Sequence, residues 1–486
     1  MKNSRSLHLI AALIISLSAL QLQAPEGLSQ QGWRVAVIAV LMAYLWVTEA
    51  LPLAVTALAP IVAFPLAGVG TIDKVAPVYA HPMIFLFLGG FMLASAMKRW
   101  HLHKRVALFA LQLAGPKPGR QVFAIIAATA FLSLWISNTA TAMVMMPIGL
   151  SLIAAYKRQD QHGEHINRQI HSANTKIEPG SAFGSAMMLG IAFSATIGGI
   201  GSLIGTPPNA FLASFIAETY GTSIGFGQWM LLGVPIVLVL IPITWFLLTR
   251  VFFPLPQMVT RVEVDRKSLG PLSRGQSLVA AVLILTACLW ILRPLLAEKL
   301  GMPQLSDAGI AIAASISLFM LPAHFSDDKP LLSWDDITGL RWDVLILFGG
   351  GLALADAIRS SGLANWIGGG TSLFSDLPLI VLVFVMMIVI VYLGELASNT
   401  AVAAIFLPIA AAAAAGLDVQ PLALILPVAL AASLGFMLPV ATPPNAIVYG
   451  SGAVTAREML RAGAVMDVIS IIVVFIFALT LGPMIF

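Results

Sequence analysis

Ser137-Asn138-Thr139 stands in the middle of an apolar stretch, residues 121–155, and the triplet returns as Ser398-Asn399-Thr400 inside a second one, residues 377–415. About 20 residues cross the hydrocarbon core of a bilayer. Each stretch is therefore too long for one helix and too short for two full spans with a loop. A re-entrant hairpin fits: the chain enters and leaves on one side, with the triplet at its tip. Thr206-Pro207-Pro208-Asn209-Ala210, within 182–217, likewise returns as Thr442-Pro443-Pro444-Asn445-Ala446, within 419–455. Polar triplets and Pro pairs are costly in lipid, so their duplication points to one binding site assembled from two halves.

The surrounding chain is that of an integral membrane protein. Of 486 residues, 59% are hydrophobic and only 10% charged, and mean hydropathy is +0.94, where a soluble domain carries about 25% charge. Further apolar runs fall at 7–23, 33–50, 52–69, 82–98, 228–250, 276–296, 305–322, 342–358 and 462–485. With 182–217 and 419–455 they predict 11 crossings beside the two hairpins. Lys2 and Arg5 before the apolar Leu7–Leu20 stretch resemble a signal peptide, but Gln21 and Gln23 make a poor cleavage region, so a retained first helix is expected. Cys288 is the single cysteine, which rules out an intramolecular disulfide and a cysteine metal cluster; in its apolar run it reads as a small core residue.

The net charge of +4 sits in loops between apolar runs and so speaks of orientation rather than nucleic acid. With the N-terminus in the cytoplasm and each hairpin returning to its own side, only Arg34, Lys74, Arg293, Lys299 and Arg359 lie outside. The rest of the 26 Lys and Arg residues lie inside, the basic 98–120, 156–180 and 250–274 loops among them. The two hairpins then enter from opposite faces. Gly89-Gly90 and Gly350-Gly351, the two triplets, and Pro147 and Pro408 all pair at one offset in the numbering, and the Pro-Pro motifs pair at a shorter one. The difference equals the length of the polar stretch Tyr156 to Gly180, which reads as an inserted cytoplasmic spacer. Inverted repeats with discontinuous helices are a transporter architecture, with the site near the midplane.

Within a helix, Pro207 and Pro208 cannot donate to the carbonyls of Leu203 and Ile204, nor Pro443 and Pro444 to those of Pro439 and Val440. Such carbonyls must face protein, water or an ion. Two broken helices thus offer carbonyl oxygens to cations and half-helix N-termini to anions. A simple proline kink would explain one such pair but not its duplication. Ser and Thr hydroxyls and the Asn amide can hold a hard cation and a carboxylate together, and Ser133 adds an oxygen one turn before the first triplet. Residues 121–155, 181–217 and 377–455 contain no Lys, Arg or His. A dianion would find there only dipoles and Glu395, whose role is open between a structural carboxylate and a direct ion ligand. Burying a dianion uncompensated is prohibitive. Co-bound cations are expected to neutralise it, in a pocket without a fixed positive group.

These residues carry a resemblance to the divalent anion/sodium symporter family, which includes sodium-coupled di- and tricarboxylate transporters and sulfate transporters. The match covers most of the chain: Thr48-Glu49-Ala50-Leu51-Pro52-Leu53, both triplets, both Thr-Pro-Pro-Asn breaks and the Gly-Gly helices. The resemblance implies an all-α polytopic membrane protein of 11 transmembrane helices and two re-entrant hairpins in inverted repeats. It implies a homodimer in the inner membrane with a cytoplasmic N-terminus and lipid around it. An elevator mechanism would move a transport domain (100–255 and 360–486) against a scaffold (1–99 and 256–359). By the family pattern, one Na+ site uses Ser133, Ser137, Asn138 and the Gly205 carbonyl; a second uses Ala397, Asn399, the Ala441 carbonyl and residue 394. Substrate carboxylates would meet Asn138, Thr139, Thr206, Asn399, Thr400, Thr442 and Pro443. Position 394 departs from the pattern: it is Gly where similar proteins place Thr, and a side-chain oxygen is lost.

The expected function is sodium-coupled symport of C4-dicarboxylates such as succinate, malate or fumarate. The alternative within the same fold is a dicarboxylate, tricarboxylate or sulfate exchanger, which would call for fixed positive charge near the site. An enzyme would need an acid/base or metal constellation inside the spans, but His81, His101, His103 and His324 lie at loops and helix ends. No GxxxxGK(S/T) loop is present, which excludes ATP drive within this chain. A channel is more naturally built from symmetric subunits around a pore.

Overall fold

The computed structural model describes residues 2–164, 181–255, 270–299, 301–302, 304–324, 327–370 and 376–486. Apolar runs become helices where a polar or helix-starting residue opens them. Ser29, Ser181, Ser306 and Thr455 each accept the amide three residues on, which satisfies one of the free donors of a helix start. The first group comprises α1 (Lys2–Ala19), α2 (Gln30–Thr48), α3 (Leu53–Ala57), α4 (Ala59–Leu66), α5 (Ile72–Val75), α6 (Pro82–Arg99) and α7 (Leu102–Ala114). The first repeat's core follows as α8 (Pro118–Ser133), α9 (Asn138–Glu164), α10 (Ala182–Ile200), α11 (Pro207–Tyr220) and α12 (Phe226–Phe246). Then come α13 (Arg274–Lys299), α14 (Asp307–Met320), a short antiparallel hairpin of β1 (Pro322–His324) and β2 (Asp327–Pro330), α15 (Trp334–Ile337), α16 (Trp342–Ser360) and α17 (Leu363–Gly370). The second core is α18 (Leu379–Gly394), α19 (Asn399–Gly416), α20 (Leu422–Ala432) and α21 (Pro443–Gly450), closed by α22 (Ala456–Thr480) and α23 (Gly482–Ile485).

Among the described residues eight helices are long and apolar enough to cross a membrane, Asn138–Tyr156 and Asn399–Gly416 among them. Other expected crossings are built from shorter pieces. The 52–69 run divides at Leu58 into α3 and α4, and α17 leaves α16 at 76°. The 98–120 segment, expected as a loop, contains α7, whose buried His103, Ala107 and Leu111 line one face. The side chains of Lys157 through Gly180, and residues 256–269, lie outside the described residues, so the spacer and part of the basic 250–274 loop do too. Cys288 is exposed rather than in the core. It sits on α13 beside exposed Ile284 and Leu285, and in a membrane an outward apolar face meets lipid, not protein.

The core is centred on α10, in which every residue from Phe183 to Ile200 is buried. It packs on both arms of its own hairpin, α8 and α9, as α20 packs on α18 and α19. The second half of each broken helix crosses over: α11 packs on α19 and α21 on α9. The Gly-Gly helices seat this assembly by close backbone approach. A Cβ on Gly89 of α6 would collide with Ala311 of α14, and one on Gly350 of α16 with the Ala57 backbone of α3.

Candidate functional site

The first tip forms where α8 ends. Ser133 is fully buried and its hydroxyl donates to the Ala195 carbonyl of α10 at 2.6 Å. The chain turns through 134–137, and α9 begins at Asn138. With its nitrogen turned to the acceptors around it, the Asn138 amide donates to Gly205 O (3.1 Å), Ala195 O (3.0 Å) and Ser133 Oγ (2.8 Å). This placement needs Gly199, where a methyl group would run into the amide.

The first break starts at Ile200, earlier than the prolines. A helix end leaves its last carbonyls without intrahelical donors. Asn209 reaches back from α11 and donates from Nδ2 to Gly199 O (3.1 Å), Ile200 O (3.2 Å) and Ser202 O (2.8 Å). The Trp229 indole also donates to Ile200 O, at 2.9 Å, and Ser202 Oγ donates to Leu134 O at 2.5 Å, tying break to tip. Pro207 and Pro208 occupy the first two positions of α11, where an N–H has no intrahelical partner in any case. They start a new helix instead of opening a continuing one at Leu203 and Ile204, as expected from sequence. The carbonyls in need of donors are those of Gly199, Ile200 and Ser202.

The second half repeats the layout with different partners. The chain turns through 395–398 between α18 and α19, and α20 ends at Ala432 with Gly435 at φ +149° in the break. Asn445 Nδ2 donates to Leu438 O at 3.0 Å, as Asn209 does in the first half. Glu395, 2% exposed, supplies the rest. Its Oε1 accepts the amides of Phe436 (2.7 Å) and Met437 (2.9 Å), and its Oε2 that of Leu438 (2.7 Å). The carboxylate is thus a structural staple between the second tip and the second break, one of the two roles left open above. Asn399 Oδ1 is buried without a hydrogen-bond partner. A Cβ on Gly394 would lie 3.5 Å from that oxygen, ordinary contact distance, so a methyl group there would not clash.

All four duplicated elements meet in one cavity of about 710 Å³. Ser137, Asn138 and Thr139 line it with Ser398, Asn399 and Thr400, and so do Gly205, Thr206 and Pro207 with Ala441, Thr442 and Pro443. Every expected substrate-contacting residue is in this lining, as are the expected cation residues Ser137, Asn138, Gly205, Ala397, Asn399 and Ala441. Ser133 and Gly394 lie behind it. The other wall comes from Thr48, Glu49, Leu53, Phe87, Phe91, Arg341 and Val344. Arg341 corrects the expectation of a cavity without a fixed cation. It comes from the residue before α16, far in sequence from the motifs, and no pattern in the chain places it there. Its guanidinium grips Asp343: Nε donates to Oδ1 (2.9 Å) and Oδ2 (3.2 Å), and Nη2 to Oδ2 (2.8 Å). The lining thus holds one positive group, Arg341, and one negative, Glu49, and the carboxylate of Asp343 is tied to the first from outside the lining. Sequence reasoning also missed the work of Asn209 and Asn445, though the fourth letter of the repeated Thr-Pro-Pro-Asn was the available signal. A second cavity of about 630 Å³, lined by Leu102, Phe109, Phe131 and Leu283, touches none of the duplicated residues.

Residues 3–486 match the family model described as the sodium:sulfate symporter transmembrane region. The chain is 39% identical over 482 residues to the sodium-dependent dicarboxylate transporter SdcS of Staphylococcus saprophyticus, covering 98% of this chain and 91% of that protein. It is 38% identical over 484 residues to the transporter of the same name from Staphylococcus aureus, with the same coverage. Among solved structures, the YdaH transporter of Alcanivorax borkumensis is similar in fold, with a TM-score of 0.59 at 14% identity, covering 84% of this chain and 87% of that one.

Proposed function

The chain belongs to the sodium:sulfate symporter family, and on that premise we propose that it carries C4-dicarboxylates (succinate, malate or fumarate) across the inner membrane together with Na+. The observation that supports this reading is the shared cavity, whose binding face is built from two tips and two breaks without one basic residue. Neutral donors can orient two carboxylates, but they leave the charge of a dianion uncompensated. Cations bound at the same tips would supply the balance, which makes coupling a consequence of electrostatics. The orphaned Asn399 Oδ1 suits such a cation, since an oxygen buried without a donor has its lone pairs free.

The Na+ sites are assigned to Ser133, Ser137, Asn138 and Gly205, and to Gly394, Ala397, Asn399 and Ala441. The substrate carboxylates are assigned to Asn138, Thr139, Thr206, Asn399, Thr400, Thr442 and Pro443. In the elevator reading, 100–255 and 360–486 move against 1–99 and 256–359 in a homodimer with a cytoplasmic N-terminus. Exchange remains the second reading, and Arg341 is the observation in its favour. Its pairing with Asp343 and the presence of Glu49 weigh against it, because that wall is not net positive.

Uptake into proteoliposomes decides. Labelled succinate should accumulate under an inward Na+ gradient with no substrate inside, and Asn138→Ala and Asn399→Ala should each abolish this while assembly survives. Transport that requires internal dicarboxylate, or near-normal transport in either variant, would overturn the assignment.

A further inference from the structure

Two ionisable residues line the cavity, Glu49 and Arg341, and Arg341 is paired with Asp343. Arg341 immediately precedes α16, and Asp343 lies in the helix's first turn, where a carboxylate is favoured by the helix dipole. The ion pair uses the Nε and Nη2 edge of the guanidinium, which leaves Nη1 outside the grip of Asp343. Both side chains are about half exposed, 45% and 52%. Glu49 stands in the same lining, at the left-handed turn (φ 48°) that ends α2.

We propose that Arg341 is a charge-selecting residue of the cavity: it offsets Glu49 in the lining so that a dianion can approach the tips, and its partner Asp343, outside the lining, holds its strength in check. The inference rests on the anion-transport reading above. The cavity is far larger than a C4-dicarboxylate, so an anion held at the tips need not touch Arg341. The guanidinium acts through space, and its effect is sensitive to salt. A cavity of about 710 Å³ is roughly 9 Å across if compact. One unit charge against a dianion at that range, screened by solvent, changes affinity by about threefold to tenfold.

The sign pattern separates this role from a structural one. Arg341→Gln leaves Glu49 in the lining, and Asp343 just outside it, with no cation beside them, and should raise the KM for succinate by about threefold to tenfold, with kcat nearly unchanged. Asp343→Asn frees the guanidinium and should lower KM. Both shifts should shrink toward wild type when choline chloride raises the ionic strength. If Arg341→Gln does not fold, the Asp343→Asn shift and its salt dependence still test the claim. KM changes in the same direction for both variants, or shifts that persist at high salt, would mean that the pair is only a brace for the start of α16 and would overturn the proposal. Dissociation constants for succinate, sulfate and citrate, measured with Na+ on the purified full chain, keep the two readings apart. No sodium-driven succinate uptake, but opposite shifts for sulfate or citrate, would sink the proposed transport function and leave this inference standing. Normal uptake without opposite shifts would do the reverse, and a wild type that binds none of the three anions would sink both.

Discussion

Glu395 is the most consequential single side chain behind the cavity. Its two oxygens accept three consecutive backbone amides, Phe436, Met437 and Leu438, at 2.7–2.9 Å. Hydrogen bonds to a charged group contribute about 1.5–3 kcal/mol each, but they are not additive, and removing the carboxylate also removes its own desolvation cost. Glu395→Ala leaves the Met437 and Leu438 amides without a partner, while Phe436 N keeps Asp467 Oδ1 at 3.2 Å, so a loss of about 2–5 kcal/mol is expected. Glu395→Gln keeps one carbonyl oxygen for Phe436 and Met437 but turns an NH2 toward the Leu438 amide, so about 1–3 kcal/mol is expected. Thermal unfolding of the detergent-purified protein should therefore rank wild type, Gln, Ala. The stabilisation given by Na+ plus succinate should fall in the same order, because the stapled segment leads directly into Ala441, Thr442 and Pro443 of the lining. An Ala variant that unfolds with wild type and still transports would refute the staple. A Gln variant of wild-type stability that has lost its response to Na+ would instead make Glu395 a direct cation ligand.

Asn209→Ala removes the shared donor of three break carbonyls; Ile200 keeps the Trp229 indole, so a loss of about 2–4 kcal/mol is expected in the same unfolding assay, together with weakened Na+-dependent binding. Unchanged stability would show that water already serves those carbonyls. Gly394→Thr places a hydroxyl beside Asn399 Oδ1 in a space that accepts its Cβ without collision. The half-saturating Na+ concentration for uptake should fall by about twofold to tenfold, the equivalent of one modest polar contact; an increase would show that the threonine crowds the site.

The tips and breaks were legible because membrane helices are so uniformly apolar that any polar triplet or Pro pair stands out. The 121–155 and 377–415 stretches divide at 134–137 and 395–398, and the two broken helices divide at 201–206 and 433–442. What was illegible depends on tertiary partners. The amphipathic face of α7 is masked by the polar residues in and around it, since Lys104 and Arg105 fall between its buried His103 and Ala107. The bend between α16 and α17 has no proline to announce it. Arg341 belongs to no motif, and only folding brings the segment before α16 into one lining with Ser137–Thr139 and Ser398–Thr400. Cys288 misled for a related reason: an apolar neighbourhood in the sequence does not distinguish a protein core from a lipid-facing surface.

Duplication of sequence has not produced duplication of chemistry. In the first half the break presents carbonyl oxygens, and side-chain donors meet them: Asn209, Trp229 and the Asn138 amide, the last of which spans Gly205 O and Ala195 O. In the second half the break presents three amides, met by Glu395 with Asp467 sharing that of Phe436, and a single carbonyl, that of Leu438, met by Asn445. The Asn138 and Asn209 amides are thereby partnered, whereas in the second half Asn399 Oδ1 and Asn445 Oδ1 stay buried without a donor. An unpaired buried acceptor costs about 1–3 kcal/mol, a debt that a bound cation beside Asn399 would cancel and that no cation is needed to cancel at Asn138. The two proposed Na+ sites are therefore unequal. The second should be the one whose filling stiffens the protein, and it is also the one that Gly394 leaves short of an oxygen.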